Sequence, residues 1–399
     1  EFMGLLKEAD YEKEIYLADE VIHTGIDEEL LTGIRKESKI TDLLYGIFTS
    51  GSTGIPKGIV VSQKAVVDFI SHFVEIFRIN EEDRIGNQAP FDFDVSVKDI
   101  YSAVMTGAAL VLVPKKLFCS PAILLDYLCD KKVTNLTWAV SALTLISSLK
   151  GLSYKVPKDV KRVMFSGEVM PVKQLNYWKK YLPNLKTIAN VYGPTEATVN
   201  CTYYIVDREF SDSEVLPLGK ACENTGLLVL DEDNNIIDSS KVNELGELCV
   251  YGSSLSAGYW DDEEKTKEKY IDNPTNPYYK EKMYLTGDLV YYNERGELVF
   301  AGRKDFQIKH SGYRIELGEI ESAAMGEQRV SVVCASYDKK EKQIVLFYQG
   351  DIDEESLKEY LLTIIPKYMV PTVYISLKKF PYNDNGKIDR KKLEKDYLS

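Results

Sequence analysis

The chain has 399 residues, with 49 Lys+Arg against 62 Asp+Glu, a formal charge of −13 and a mean hydropathy of −0.22. At roughly 100–200 residues per domain this length predicts two or three domains with ample core, which excludes a peptide toxin or a disulfide-stapled mini-protein. The acidic balance offers no sequence-independent grip on nucleic acid, and no apolar run approaches the roughly 20 residues needed to span a membrane.

Leu43–Thr49 is an apolar run that ends in Ser50-Gly51-Ser52-Thr53-Gly54, and beyond Ser62 the residues Val66, Phe69, Ile70, Phe73 and Phe77 fall at helical spacing. This reads as strand, glycine loop, helix. The alternation continues through Leu110–Val113 and a following helix, then Arg162–Phe165 with Ser166-Gly167 and another helix, then Leu185–Tyr192 ending at Gly193-Pro194-Thr195-Glu196. The first half is therefore α/β, with its polar loops at strand ends. From Leu245 short strands and tight turns take over, including a hairpin of Val290–Tyr292 and Glu297–Phe300 through Asn293-Glu294-Arg295-Gly296. After Arg303 the pattern is a small α+β unit: a helix near Glu316–Ala324, strands at Val330–Tyr337 and Gln343–Tyr348, and a helix at Glu354–Ile365 closed by Pro366. The boundary is placed at Gly302–Asp305.

The six cysteines are dispersed and contain no CxxC, which suits a reducing cytoplasm and core positions. The opening residues Glu1-Phe2-Met3-Gly4 lack the basic-then-apolar pattern of a secretion signal. The three histidines show no HExxH spacing, so no histidine metal site is spelled out, and His310 reads as a surface residue.

The stretch Thr49-Ser50-Gly51-Ser52-Thr53-Gly54-Ile55-Pro56-Lys57-Gly58 carries the most chemistry. Small residues leave backbone N–H groups free to turn toward an anion, hydroxyls add donors and Lys57 adds charge, which together suit a polyphosphate. It is not the GxxxxGK[ST] loop, because Pro56 stands where that pattern needs Gly.

With these residues the sequence resembles the adenylate-forming superfamily of acyl-CoA synthetases, luciferases and amino-acid adenylation domains of nonribosomal peptide synthetases. The resemblance continues in order along almost the whole chain, through Tyr192-Gly193-Pro194-Thr195-Glu196, Gly246-Glu247-Leu248, Tyr284-Leu285-Thr286-Gly287-Asp288, Gly302-Arg303-Lys304-Asp305, Gly312-Tyr313-Arg314-Ile315-Glu316 and Asn385-Gly386-Lys387. Phe91-Asp92-Phe93-Asp94 points to the amino-acid-activating branch. Phe165-Ser166-Gly167-Glu168 and Phe306-Gln307-Ile308-Lys309 are most similar to D-alanine:carrier-protein ligases.

The resemblance implies a large α/β domain over 1–302 that binds ATP and substrate, a hinge at 303–305 centred on Asp305, and a small mobile α+β domain over 306–399. It implies that Asp288 accepts the ribose hydroxyls with help from Arg303, that Tyr192 faces adenine beside Asn190 and Gly167, and that Gly193 and Thr195 belong to the same nucleotide site. Glu196 would hold Mg²⁺ on the ATP phosphates and Lys387 would reach the α-phosphate. After adenylation the small domain would turn, withdrawing Lys387 and bringing Lys309–Tyr313 to the acyl-adenylate, with Gly312 leaving room for a pantetheine arm. The implied reaction is activation of an amino acid as its adenylate, then transfer to the thiol of a phosphopantetheinylated carrier protein acting in trans. Acyl- or aryl-CoA synthesis and a nucleotide-binding module without activity are the alternatives.

By the same resemblance Asp94 pairs with the substrate ammonium, and Val95, Lys98, Trp138, Ser166 and Val199 line the side-chain pocket, with Met164, Val191 and Asn200. Lys98 departs from the apolar residue of D-alanine ligases. Either it meets a side-chain carboxylate of the substrate, or it snorkels to solvent along its apolar stem. The 48 residues ahead of Thr49 are fewer than the superfamily usually carries there, so the large domain is expected to lack its usual amino-terminal segment.

Overall fold

The computed structural model describes residues 16–49, 56–182, 184–212, 214–304, 307–381 and 388–398. The chain divides into two compact units at Asp42 and Leu43. The first contains helices α1 (Ala18–Val21) and α2 (Glu28–Glu37), the latter capped where the Asp27 carboxylate accepts the Leu30 N–H at 2.9 Å.

The second unit opens with β1 (Leu43–Thr49) antiparallel to β2 (Lys57–Ser62), followed by α3 (Gln63–Phe77). This corrects the expected strand–loop–helix order. The glycine-rich segment joins two paired strands, because Lys57-Gly58-Ile59-Val60-Val61 is a β-branched run in its own right. Helix α3 starts only at Ser62, whose hydroxyl accepts the Ala65 N–H. It buries Val66, Phe69, Ile70, Phe73 and Phe77 on one face, as their spacing predicts, and each such side chain contributes roughly 1.5–3 kcal/mol.

A seven-stranded sheet follows. Its strands β3 (Arg84–Asn87), β4 (Ala109–Leu112), β5 (Asn135–Ala139), β6 (Arg162–Ser166) and β7 (Thr187–Tyr192) run parallel, and β8 (Thr202–Ile205) and β9 (Lys220–Ala221) add on antiparallel, in the order β4-β3-β5-β6-β7-β8-β9. Helices α4 (Val95–Thr106), α5 (Pro121–Asp130), α6 (Val140–Ser148) and α7 (Val172–Tyr181) connect the parallel strands. Two cores result. One gathers Leu124, Leu136, Trp138, Leu143, Phe165 and Trp178, and the other gathers Ile59, Phe69, Phe73, Ile85, Met164 and Val191. Polar strand ends emerge together at one edge of this sheet, where parallel α/β sheets place their ligands.

A second sheet holds β10 (Thr225–Leu230), β11 (Gly246–Gly252), β13 (Tyr270–Asp272), β14 (Lys282–Tyr292) and β15 (Leu298–Arg303), while β12 (Gly258–Tyr259) pairs with β2 and α8 (Glu263–Lys269) precedes β13. The expected hairpin is the β14–β15 turn. Next comes the hairpin β16 (Gln307–His310) and β17 (Tyr313–Glu316), then α9 (Leu317–Met325), the strands β18 (Val330–Asp338), β19 (Gln343–Gly350) and β20 (Val373–Ser376), α10 (Glu354–Ile364) and α11 (Arg390–Tyr397). This segment has cores of its own, around Ile320, Leu346 and Leu361 and around Phe347, Phe380 and Leu393.

Two expectations about single residues are corrected. Cys119 is exposed, at the end of a 3-10 turn that buries nothing, and His310 is half-buried against the Tyr337 ring at 5.7 Å.

Candidate active site

A cavity of ≈ 140 Å³ opens between the strand ends of the seven-stranded sheet, the β14–β15 sheet and the β16–β17 hairpin. Thr49, Asp94, Val95, Ser166, Gly167, Gly193, Thr195, Val199, Asp288 and Arg303 all line it, residues that the sequence resemblance had marked in or near six separate motifs. The backbone at its floor is tightly constrained. A Cβ on Gly193 would lie 2.5 Å from the Asn200 Cα, so only glycine allows the chain to pass there. Thr198 and Val199 hold φ of 50° and 72°, a conformation that costs β-branched residues of order 1–3 kcal/mol each. The buried Thr198 hydroxyl, donating to the Ser254 carbonyl at 2.6 Å, helps to hold it.

Asp288 forms the nucleotide-side wall. Its carboxylate accepts from the Tyr192 hydroxyl and from Arg303 at 2.5 Å, and Arg303 also donates to the Thr286 carbonyl at 3.2 Å. Gly167, Asn190 and Tyr192 come together on a smaller neighbouring slot, where Asn190 donates to the Pro217 carbonyl at 2.8 Å. Lys309 lies 5.1 Å from the centre of the Tyr192 ring, and its burial beside two arginines lowers the ammonium pKa.

Glu196 is fully buried and crowded with donors. Arg314 reaches it at 2.7 Å, the Tyr259 hydroxyl at 3.0 Å, and Lys57 at 3.7 Å, while Lys57 also lies 3.8 Å from Glu316. Burial by itself raises the Glu196 pKa, but the Arg314 and Lys57 charges overcome it and hold the carboxyl well below its ordinary value. Burial lowers the Lys57 ammonium to about 8. Arg314 lines the cavity, and among the described residues neither Glu196 nor Lys57 does. Among those residues no group of three or more His, Cys, Asp or Glu could hold a metal by itself. One hard carboxylate still fits a Mg²⁺ that arrives on nucleotide phosphates, since that ion is commonly held by one or two carboxylates plus phosphate oxygens.

On the opposite wall Asp94 sits at the start of α4, and its pKa is raised by burial, partly offset by a hydrogen bond from Thr195 and the charge of Lys98. Lys98 is 0 % exposed and donates to the Asn200 side-chain oxygen at 3.2 Å. The snorkelling alternative is thereby excluded. Burial lowers Lys98 to about 8, against the pull of Asp99 and Asp94. Asp99, held by Asn87 at 3.1 Å, is raised to about 7 by the same burial. Lys98 and Trp138 are not on the cavity wall. Trp138 stands in the core and donates its indole N–H to the Gly86 carbonyl at 2.7 Å.

Ser50, Gly51, Ser52, Thr53, Gly54, Asp305 and Lys387 lie outside the described residues. Three contributors were missed by sequence reasoning. Arg314 stood inside a quoted motif with nothing to name its partner 118 residues away. Asp99 was overlooked beside Lys98. Glu168, whose carboxylate accepts the Gly312 N–H at 2.7 Å, lies 144 residues from it.

Comparison with known proteins agrees with this arrangement. The AMP-binding enzyme family matches residues 5–260. The chain is 36% identical over 391 residues to tyrocidine synthase 3 of Brevibacillus parabrevis, covering 96% of this chain and 6% of that protein. It is 33% identical over 394 residues to tyrocidine synthase 1 of the same organism, covering 98% and 35%. It thus spans only a part of these relatives. Among solved structures, the Vibrio cholerae adenylation domain AlmE, in complex with glycyl-adenosine-5'-phosphate, superposes with a TM-score of 0.80 at 25% identity over 94% of this chain and 69% of that one. By sequence and by fold the chain belongs to the AMP-binding enzyme family of the adenylate-forming superfamily.

Proposed function

We propose that the protein activates an amino acid with ATP and passes the acyl group to a thiol on a phosphopantetheinylated carrier protein. The observation that carries this reading is the single cavity with Asp94 on one wall and the Asp288–Arg303 pair on the other. Lys98 is shared between Asp94 and Asp99, so the two buried carboxylates are short of one cation, and a substrate α-ammonium supplies it where a fatty acid cannot. Asp288 offers a carboxylate for ribose hydroxyls, with Arg303 already fixed against it.

In the first half-reaction a substrate carboxylate oxygen forms a bond to the α-phosphorus as the bond to pyrophosphate breaks. Asp94 orients the amino end, Asp288 orients the ribose, and Lys57 and Lys387 are the proposed cationic groups near the phosphates. Mg²⁺, held at Glu196, supplies charge neutralisation at the phosphate oxygens when bound. In the second, a thiol sulfur bonds to the acyl carbon, AMP leaves, and the thiol proton goes to solvent. The hairpin tip, seated against Glu168, supports a role in closing the site around that step.

The charges behind Asp94 bear on the substrate side chain. Lys98 has Asn200, Asp99 and Asp94 as internal partners, so its ammonium does not call for a substrate carboxylate. A small neutral side chain, D-alanine among them, suits a cavity of ≈ 140 Å³. A similar adenylation domain was solved with glycyl-adenosine-5'-phosphate, which supports this substrate class. Exchange of labelled pyrophosphate into ATP, run over the L-amino acids, D-alanine, glycine and fatty acids, tests the reading. Exchange with a small neutral amino acid is the expected result; exchange with fatty acids alone, or none at all, would overturn it.

A further inference from the structure

We infer that Asn200 selects substrates whose side chain carries a small, neutral oxygen acceptor such as a hydroxyl, and that Lys98 is the positioning residue that turns the Asn200 amide for this task. The inference rests on the reading above, in which the cavity beside Asp94 holds an amino acid.

An amide can offer a ligand its carbonyl oxygen or its NH₂ group, and here the choice is made by a neighbour. Lys98 donates to the Asn200 Oδ1 at 3.2 Å. An ammonium has only donors, so it holds the oxygen end of the amide and turns the NH₂ end away from itself. Asn200 lines the cavity and Lys98 does not. The end that Lys98 leaves for the cavity is therefore the donor end, and among the described residues no group accepts from it. A buried donor without an acceptor costs free energy, and a substrate oxygen supplies the acceptor.

The backbone gives this amide a rigid base. Thr198 and Val199 hold φ of 50° and 72°, the Asn200 N–H donates to the Thr198 carbonyl at 2.9 Å, and the Cys201 N–H donates to the Tyr192 carbonyl at 2.8 Å. Strain of this kind persists where the surroundings fix it, and it gathers at ligand sites. In the same cavity Thr195 is bonded to Asp94, and the Ser166 hydroxyl can either donate or accept, so neither sets a polarity as Asn200 does. The acceptor is neutral because Asp94 and Asp99 are balanced by Lys98 and the substrate α-ammonium, and a side-chain carboxylate would undo that balance.

The test is pyrophosphate exchange on the whole chain with substrates matched in shape, each as both enantiomers. Serine against 2-aminobutyrate exchanges a hydroxyl for a methyl group. O-methylserine against norvaline exchanges an ether oxygen, which only accepts, for a methylene. The wild type is expected to favour the oxygen-bearing member of each pair by about 5–150-fold in kcat/KM, the factor that one unsatisfied buried donor costs. Asn200→Leu is expected to bring both ratios to parity or below. Lys98→Met frees the amide to turn, so the ether ratio is expected to fall while the hydroxyl ratio is largely kept, since a hydroxyl can meet either end of the amide. A Lys98 that only supports the fold would leave both ratios unmoved. If Asn200→Leu does not fold because Lys98 has lost its acceptor, the double variant Lys98→Met, Asn200→Leu makes both partners apolar and decides instead. If the cavity admits neither member of the longer pair, serine against 2-aminobutyrate in these variants decides. Amino-acid-dependent exchange without a preference for oxygen, a preference that survives removal of Asn200, or exchange best with aspartate overturns the inference and leaves the amino-acid reading intact. Exchange with no amino acid overturns the reading on which it rests.

Discussion

Two buried charge clusters flank the cavity and are built in opposite ways. Asp94, Lys98 and Asp99 come from a single turn and a half at the start of α4, with Asn200 on Lys98, Thr195 on Asp94 and Asn87 on Asp99 as partners from elsewhere. Lys57, Glu196, Arg314 and Glu316 come from β2, from the loop after β7 and from the hairpin, and none is within 100 residues of its partner across the site except the Arg314–Glu316 neighbours. The first cluster is part of the folded core, with Lys98 shared between Asp99 and Asp94. The second is assembled only where the hairpin packs against the strands, with the Gly312 N–H on Glu168 and Tyr313 against Phe93. A cluster inside one helix is fixed by folding, whereas one shared between separate segments can serve as a switch.

The largest expected effect follows for the fixed cluster. Asp99→Asn leaves the Lys98 ammonium with less negative charge around it in a site closed to water, and loss of one partner of a buried pair typically costs about 3–5 kcal/mol. Urea unfolding is expected to show a loss of that order, and Lys98→Met combined with Asp99→Asn is expected to recover most of it, because the apolar pair removes both desolvation costs. If the single and double variants are equally destabilised, the two side chains are not a pair and the comparison fails on this side.

Asp94→Asn is next. It keeps the shape but removes the charge for a substrate ammonium, and amino-acid-dependent pyrophosphate exchange is expected to fall by about 10²–10³-fold in kcat/KM, equivalent to about 3–4 kcal/mol. Unfolding stability is expected to hold or rise, since the wild-type carboxyl is buried at a raised pKa. For the exchangeable cluster the expectation reverses. Arg314→Gln is expected to cost the fold only about 1 kcal/mol in urea unfolding, near the value of a single net hydrogen bond, because the hairpin can withdraw and let water reach Glu196. A loss as large as that of Asp99→Asn would show that both clusters are equally fixed.

The same contrast explains what could be read before the structure. The α/β character of the first half was legible because β4, β6 and β7 are short apolar runs, whereas β3 and β5 carry too few apolar residues in a row to be read, and α3 was legible because its five apolar residues keep helical spacing. Asp94 and Lys98 were marked through the resemblance as substrate-facing residues, with Lys98 left between a substrate carboxylate and solvent; only the packing of Asn200 and Asp99 around it decides the matter. β2 was not legible as a strand, because the glycine-rich stretch before it hides its start. Arg314 and Glu168 were invisible as site residues for a different reason: their partners are set by tertiary contact and leave no spacing to count. The strained Thr198 and Val199 carry no sequence signal either, since φ above zero is ordinarily a glycine or asparagine trait.

The smallest effect concerns pH, and it sharpens the description of the fixed cluster. Asp99 is raised to about 7 in the folded protein from an ordinary value near ~3.9, so the stability it contributes is fully present below about pH 4 and is lost as pH rises through 7. Lys98 is lowered to about 8 from an ordinary value near ~10.4, so its contribution is present above about pH 10 and is lost as pH falls through 8. The two slopes have opposite signs and meet between the two folded values. Relative to the Lys98→Met, Asp99→Asn double variant, the wild type is therefore expected to be least stable between about pH 7 and 8, and to regain stability toward both pH 5 and pH 9.5. Urea unfolding of the two proteins at pH 5, 7.5 and 9.5 measures the difference directly, and taking the double variant as reference removes the titration of every other group. A difference that does not change with pH would mean that neither side chain changes protonation on folding, and that the cluster is wetter than its burial indicates.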